Sequence, residues 1–195
     1  MKLAKDSTAW VSVPIFLTAA LAAAGNWYMS AVAFAGFVFM IFFHRDPDRL
    51  PRGEGMLSPA DGKIIQATPQ KITIFMGPSN VHVNRAPLDG MVRNIEYRKG
   101  THRPAFMMRA CKNQQNRMHL ETDDGDMELC QITGTLVRKI VCYVRPGDQV
   151  LRGERIGMIR FGSRVEVSIP IGYSLQVGQG DKVRAGETVI AVRSS

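Results

Sequence analysis

Two stretches near the C-terminus, Val144-Arg-Pro-Gly-Asp-Gln-Val-Leu-Arg-Gly-Glu-Arg-Ile-Gly157 and Val177-Gly-Gln-Gly-Asp-Lys-Val-Arg-Ala-Gly-Glu-Thr-Val-Ile190, share the block Gly-Asp-x-Val-x-x-Gly-Glu, which begins at Gly147 and again at Gly180. Self-similarity of this kind marks one supersecondary unit used twice. Its glycines turn the chain between short β-branched runs. Outward from the repeat, further β-branched runs lie between turn residues at 62–67, 71–76, 80–84, 91–97, 127–133, 136–144, 164–169 and 188–192. This pattern predicts a mainly β domain. One helix is expected over 103–118, where good helix formers cluster and Pro104 suits a first turn.

The first part of the chain has a different character. No residue is charged from Ala9 to Phe43, a stretch that would make a helix of roughly 52 Å against a bilayer core of about 30 Å. Gly25-Asn26 divides it into two halves, 10–24 and 27–43, each at or just below the usual minimum for a span. The expectation is a helical membrane hairpin at 1–43, a polar linker at 44–55 and a β domain at 56–195. Lys2 and Lys5 precede the hairpin and Arg45, Arg49 and Arg52 follow it, which places both ends, and the β domain, on the cytoplasmic side of the cell membrane. A basic start and the small residues at 22–25 also suit a secretory signal peptide. Against that, a second apolar run follows at once and ends in a basic cluster, as stop-transfer segments do.

Of 195 residues, 45% are hydrophobic, enough for one real core and too few residues for two ordinary enzyme domains. The formal charge of +8 suits an anionic membrane or an anionic substrate. Nucleic acid is not expected as a partner, because the basic residues are scattered singly and no aromatic-interleaved basic helix occurs. Cys111, Cys130 and Cys142 are an odd number without CxxC spacing, so neither a disulfide framework nor a zinc site is indicated. His44, His102 and His119 have no metal-ligand spacing, and no metal is expected.

The repeat resembles the hammerhead halves of biotinyl- and lipoyl-type barrel-sandwich β domains, a fold signal that carries no chemistry by itself. Between its two copies lies Ile159-Arg-Phe-Gly-Ser-Arg-Val-Glu-Val-Ser-Ile-Pro170. With Ser58-Pro-Ala-Asp-Gly62, Met76-Gly-Pro-Ser-Asn-Val-His-Val-Asn-Arg-Ala-Pro87 and Gly153-Glu-Arg-Ile-Gly157, in that order along the chain, it resembles the short prokaryotic form of phosphatidylserine decarboxylase. The resemblance runs from about Phe43 to the C-terminus.

The resemblance implies a proenzyme that breaks its own Gly162–Ser163 bond by serinolysis, giving a β chain of residues 1–162 and an α chain of residues 163–195. Ser163 becomes a pyruvoyl group whose carbonyl forms a Schiff base with the amine of phosphatidylserine and serves as electron sink, so no external cofactor is required. The product is phosphatidylethanolamine. A serine hydroxyl attacks a carbonyl only with a base and a held geometry. His82 matches a family catalytic histidine, and a neutral imidazole can take that proton. Asp61 matches the acidic partner of the processing base, repeating the general triad logic. Longer family members carry a second histidine where this chain has Arg85, so whether His82 serves both cleavage and decarboxylation is open. Arg85, Arg164 and His102 are weaker candidates for holding the substrate's phosphate or carboxylate. Out of context Gly162-Ser163 and Asp61-Gly62 would be ordinary turns and His82 a structural histidine. A noncatalytic tethered module is the alternative, but the Met-Lys-Met or Asp-Lys-Ala hairpin of a carrier domain does not occur. The lipid backbone is open, an archaetidylserine-type lipid included, and so is a homo-oligomeric state.

Overall fold

The computed structural model describes residues 2–101, 103–107, 110, 112–135, 137 and 139–194. They divide into two compact units, the first ending at Asp48 and the second running from Arg49. In the first, a short pair of strands, β1 (Lys2–Leu3) and β2 (Arg45–Asp46), brackets two helices, α1 (Thr8–Ala23) and α2 (Trp27–Phe43). The break falls where the sequence placed it: Gly25 has φ +74°, and the Asn26 side chain accepts the Met29 N–H as an N-cap. Ser30 donates to the Thr18 carbonyl and so ties the second helix to the first. No helix among the described residues is long and apolar enough to cross a membrane; 17 residues of α2 reach only about 26 Å at 1.5 Å per residue.

The second unit is built from β3 (Met56–Leu57), β4 (Gly62–Thr68), β5 (Lys71–Met76), β6 (Val83–Arg85), β7 (Gly90–Arg98), β8 (Gln115–Thr122), β9 (Gly125–Ile132), β10 (Ile140–Cys142), β11 (Gln149–Val150), β12 (Arg155–Ile159), β13 (Ser163–Ser168), β14 (Tyr173–Leu175), β15 (Lys182–Val183) and β16 (Val189–Arg193). An eight-stranded antiparallel sheet has the order β11-β7-β8-β9-β13-β5-β4-β15, and two three-stranded sheets have the orders β10-β12-β6 and β14-β16-β3. Inward residues of these strands, among them Ile64, Ile74, Met118, Leu129 and Val165, form one core. The unit is mainly β, as expected.

The sequence repeat folds as a double clasp. Gly147 N–H donates to Val92 O while Val92 N–H donates to Asp148 O; at the equivalent positions Gly180 N–H donates to Ile64 O and Ile64 N–H to Asp181 O. Further along, Gly153 N–H bonds Ala86 O and Gly186 N–H bonds Ser58 O. The clasped segments are themselves a repeat: Pro59-Ala-Asp-Gly62 corresponds to Pro87-Leu-Asp-Gly90. Both final glycines lie against the neighbouring strand. A Cβ on Gly62 would stand 2.1 Å from Phe75 O, and one on Gly90 would stand 2.5 Å from Glu121 O. Each half then adds one more strand, β10 or β14, to complete its small sheet.

Two expectations, one for a helix and one for strand bounds, are corrected. The helix over 103–118 does not form as such: Gln115–Met118 open β8, where Met118 and Leu120 face inward at strand period beside Met127 and Leu129 of β9. Helix propensity gives way there to cross-strand burial. The preceding segment is held by Asn113, whose side chain accepts from Arg103 N–H and donates to Arg103 O and Thr133 O; residues 102, 108, 109 and 111 lie outside the described residues. The strand expected at 80–84 begins only at Val83, and among the described residues of 136–144 the strand covers Ile140–Cys142. Residues 49–55 belong to the second compact unit: Arg152 donates to the carbonyls of Arg52, Gly53 and Gly55, and binds the segment to the clasp.

Candidate active site

Ser163 is the first residue of β13, and the chain enters it through an unusual turn. β12 ends at Ile159, Arg160 N–H bonds Lys139 O, and Phe161 and Gly162 then both adopt left-handed backbone, with φ +58° and +61°. Glycine accepts this conformation freely. Phenylalanine does so at a cost of about 1 kcal/mol. Strain is therefore stored one residue before the Gly162–Ser163 bond. Beyond the bond, β13 is paired on both sides, with β5 through Ser163↔Met76 and with β9 through Arg164↔Ile132.

Ser163 is fully buried, and its Oγ lies 3.5 Å from Met76 Sδ. The same sulfur receives the Asn84 amide at 3.7 Å, Asn84 Oδ1 accepts from Gln131 Nε2 at 2.8 Å, and Gln131 Oε1 accepts from Asn116 at 3.1 Å. This buried polar chain ends at the serine. Sequence reading missed it, because amides in strands look like solvent-facing positions; the available signal was that Gln131 interrupts the apolar run Leu129-Cys130-Gln131-Ile132.

His82 is reached from Met76 by a tight turn in which Asn80 Oδ1 accepts from Gly77 N–H. The imidazole is fully buried, and its Nδ1 lies 2.9 Å from Asn80 O. A carbonyl there can only accept, so Nδ1 carries a proton, and in the neutral imidazole the lone pair is then on Nε2. His82 O in turn accepts from Ile159 N–H, which joins the histidine to the end of β12, the strand leading into the left-handed turn.

Asp61 occupies a different place from the one triad logic gives it. Its carboxylate takes a two-pronged pair from Arg49, at 2.5 and 2.9 Å, and accepts the backbone N–H groups of Ala185 and Val81. The Asn80 carbonyl holds the His82 ring at Nδ1, and Asp61 accepts the backbone N–H of the neighbouring Val81. Asp89, the counterpart of Asp61 in the other half, likewise accepts the N–H of Arg152, the counterpart of Ala185. Arg49 was not singled out from sequence, since one arginine in a polar stretch carries no pattern.

The two arginines expected near substrate hold protein groups. Arg85 donates to Gly153 O inside the clasp. Arg164 donates to Met107 O and pairs with Glu166 at 2.6 Å. It projects to the face of β13 opposite Ser163, since successive strand residues alternate. His102 lies outside the described residues. Cys130 donates to Gln115, and burial pushes its thiol up to about 12, which keeps it from acting as a nucleophile. Among the described residues no cluster of His, Cys, Asp or Glu could hold a metal.

The model of the phosphatidylserine decarboxylase family matches residues 67–191. The chain belongs to the phosphatidylserine decarboxylase family. It is a carboxy-lyase of that family. A Streptomyces griseus phosphatidylserine decarboxylase proenzyme is 40% identical, with 97% of this chain and 93% of the relative covered. One from Chlorobaculum tepidum is also 40% identical, over 90% and 88%. A protein of Methanococcoides burtonii that bears the name archaetidylserine decarboxylase proenzyme is 42% identical over 99% of this chain and 97% of its own length.

Proposed function

We propose that the chain is a proenzyme that cleaves itself between Gly162 and Ser163 and then decarboxylates phosphatidylserine to phosphatidylethanolamine. The observation that carries the reading is the joint itself: a buried serine at a strand start, entered through two left-handed residues, that shares Met76 Sδ with Asn84 of β6, the strand that begins just after the buried His82.

Ser163 Oγ attacks the Gly162 carbonyl carbon, and His82 Nε2 takes the hydroxyl proton. The C–N bond breaks as the nitrogen is protonated, leaving an ester to Oγ and a free amine. Loss of the Ser163 Cα proton expels the Gly162 carboxylate and leaves an unsaturated amine. Its imine tautomer takes up water and releases ammonia, so the new N-terminus is a pyruvoyl group. Strain at Phe161 is released in the first step, which favours cleavage. Pairing of β13 with both β5 and β9 keeps the cut end of the α chain in place. When formed, the pyruvoyl group supplies an electron sink for the pair left as carbon dioxide departs. Ser163's full burial suits this by excluding water, and His82 hands a proton to the decarboxylated carbon.

The double clasp supports a barrel-sandwich domain of the biotinyl and lipoyl type. We assign the helical unit the role of membrane anchor, with the second unit on the cytoplasmic side. Exposed Phe16, Trp27, Tyr28 and Val32 support it, and helices shorter than a bilayer core suit entry into the membrane rather than crossing. A serine headgroup is common to the substrates named for its relatives, so both lipid backbones belong in the test.

The test is denaturing electrophoresis with mass spectrometry, run beside carbon dioxide release from phosphatidylserine and archaetidylserine micelles. Fragments 1–162 and 163–195 are expected, the smaller with a blocked keto N-terminus. An intact wild-type chain that still releases carbon dioxide would overturn the mechanism.

A further inference from the structure

The register of the sheet places a second glycine opposite the scissile one. β9 and β13 pair through Arg164↔Ile132, so one rung further sets Thr133 against Ser163 and the next sets Gly134 against Gly162. The contact is close: an ideal Cβ on Gly134 stands 1.8 Å from the Gly162 carbonyl oxygen and 2.8 Å from its carbon. A hydrogen of Gly134 Cα therefore points at that oxygen, and nothing larger fits.

The Gly134 side of the contact is also held. Thr133 N–H donates to Gln114 O, and Asn113 Nδ2 donates to Thr133 O at 2.8 Å while bonding Arg103 O at 2.6 Å. The segment carrying Gly134 is thus pinned from outside, whereas Gly162 sits in a turn with left-handed backbone and nothing within 4 Å of its own Cβ position. Given a methyl group at 134, the part that yields is the scissile carbonyl.

We propose that Gly134, pinned by Asn113, is a positioning residue for self-cleavage, its bare Cα fixing where the Gly162 carbonyl oxygen lies as Ser163 Oγ attacks. The proposal rests on the reading of Gly162–Ser163 as the self-cleaved bond. In the attack the carbonyl carbon becomes tetrahedral and its oxygen gains charge, so a displaced oxygen misdirects the bond that must form.

The experiment uses the full chain. Gly134→Ala is expected to cleave at least about tenfold more slowly than wild type. In the uncleavable Ser163→Ala background, adding Gly134→Ala should leave a cooperative melt, which separates position from folding. Adding Asn113→Ala to Gly134→Ala should restore part of the rate by letting the 133–134 segment retreat, an effect that a merely structural glycine would not show. Wild-type cleavage by Gly134→Ala overturns the proposal. So does loss of the cooperative melt, or a defect that Asn113→Ala leaves unchanged. A wild-type chain that stays whole would instead refute self-cleavage itself, so the two failures are distinguishable.

Discussion

The two halves of the clasp use one plan and treat their aspartates differently. Pro59-Ala-Asp-Gly62 held by 180–191 and Pro87-Leu-Asp-Gly90 held by 147–158 make the same backbone bonds, and each aspartate accepts one N–H from the repeat that closes over it. Asp89 stays exposed. Asp61 is buried, takes the Arg49 guanidinium in two prongs, and reaches Val81 beside His82. The turn aspartate is thus a property of the fold, and what sets Asp61 apart is the buried arginine and the segment carrying His82 added to it.

The largest expected effect tests the joint between the halves. Ser163→Ala should remain one chain with no 163–195 fragment by mass spectrometry, and it then serves as the uncleaved reference for stability. A processed Ser163→Ala would remove any reason to treat the two halves as flanking a reactive bond.

Next in size is the aspartate comparison. In the Ser163→Ala background, Asp61→Asn should lower unfolding stability by about 3 kcal/mol, because it exchanges the two-pronged ion pair of a buried guanidinium for a neutral amide. Asp89→Asn should lower it by less than about 1 kcal/mol, since an exposed amide oxygen can still accept the Arg152 N–H. With Ser163 present, cleavage should slow for Asp61→Asn and not for Asp89→Asn. Equal denaturation midpoints for the two would mean that the halves differ in appearance only.

Smaller still is the strain at Phe161. Comparing Phe161→Gly with Phe161→Ala removes the side chain from both and the left-handed penalty from one. The glycine chain should be about 1 kcal/mol more stable uncleaved and cleave about fivefold more slowly. Identical cleavage rates would show that the strain does not drive the reaction.

The smallest effect concerns the outer strands. β14 is tied down by Tyr173, whose hydroxyl donates to Asp124 at 2.6 Å, and burial, followed by that bond, pushes its pKa up to about 12. The folded chain therefore holds this proton more tightly than the unfolded one. The resulting stability is present below the ordinary tyrosine pKa of about 10 and is lost as pH rises through about 12. Denaturation measured across that window should show a slight fall that Tyr173→Phe abolishes. An unchanged slope would mean that the tie contributes nothing.

Much of this was written in the amino-acid order. The Gly-Asp-x-Val-x-x-Gly-Glu repeat announced a duplicated β unit, Gly25-Asn26 marked the break between helices, and Gly162-Ser163 stood between the repeat copies. Each is a local signal, set by backbone freedom, side-chain capping or period, and these act between near neighbours in the chain. What only tertiary structure decided is who meets whom. Cross-strand burial made 115–118 a strand against helix propensity. Arg49, legible in the sequence only as one of three basic residues after the hairpin, was brought onto Asp61, and the Asn80 carbonyl came to hold His82 at Nδ1. The register of β9 on β13 set Gly134 against Gly162. Such pairings depend on sheet order and register, and one sequence position carries no mark of the distant residue that will cover it.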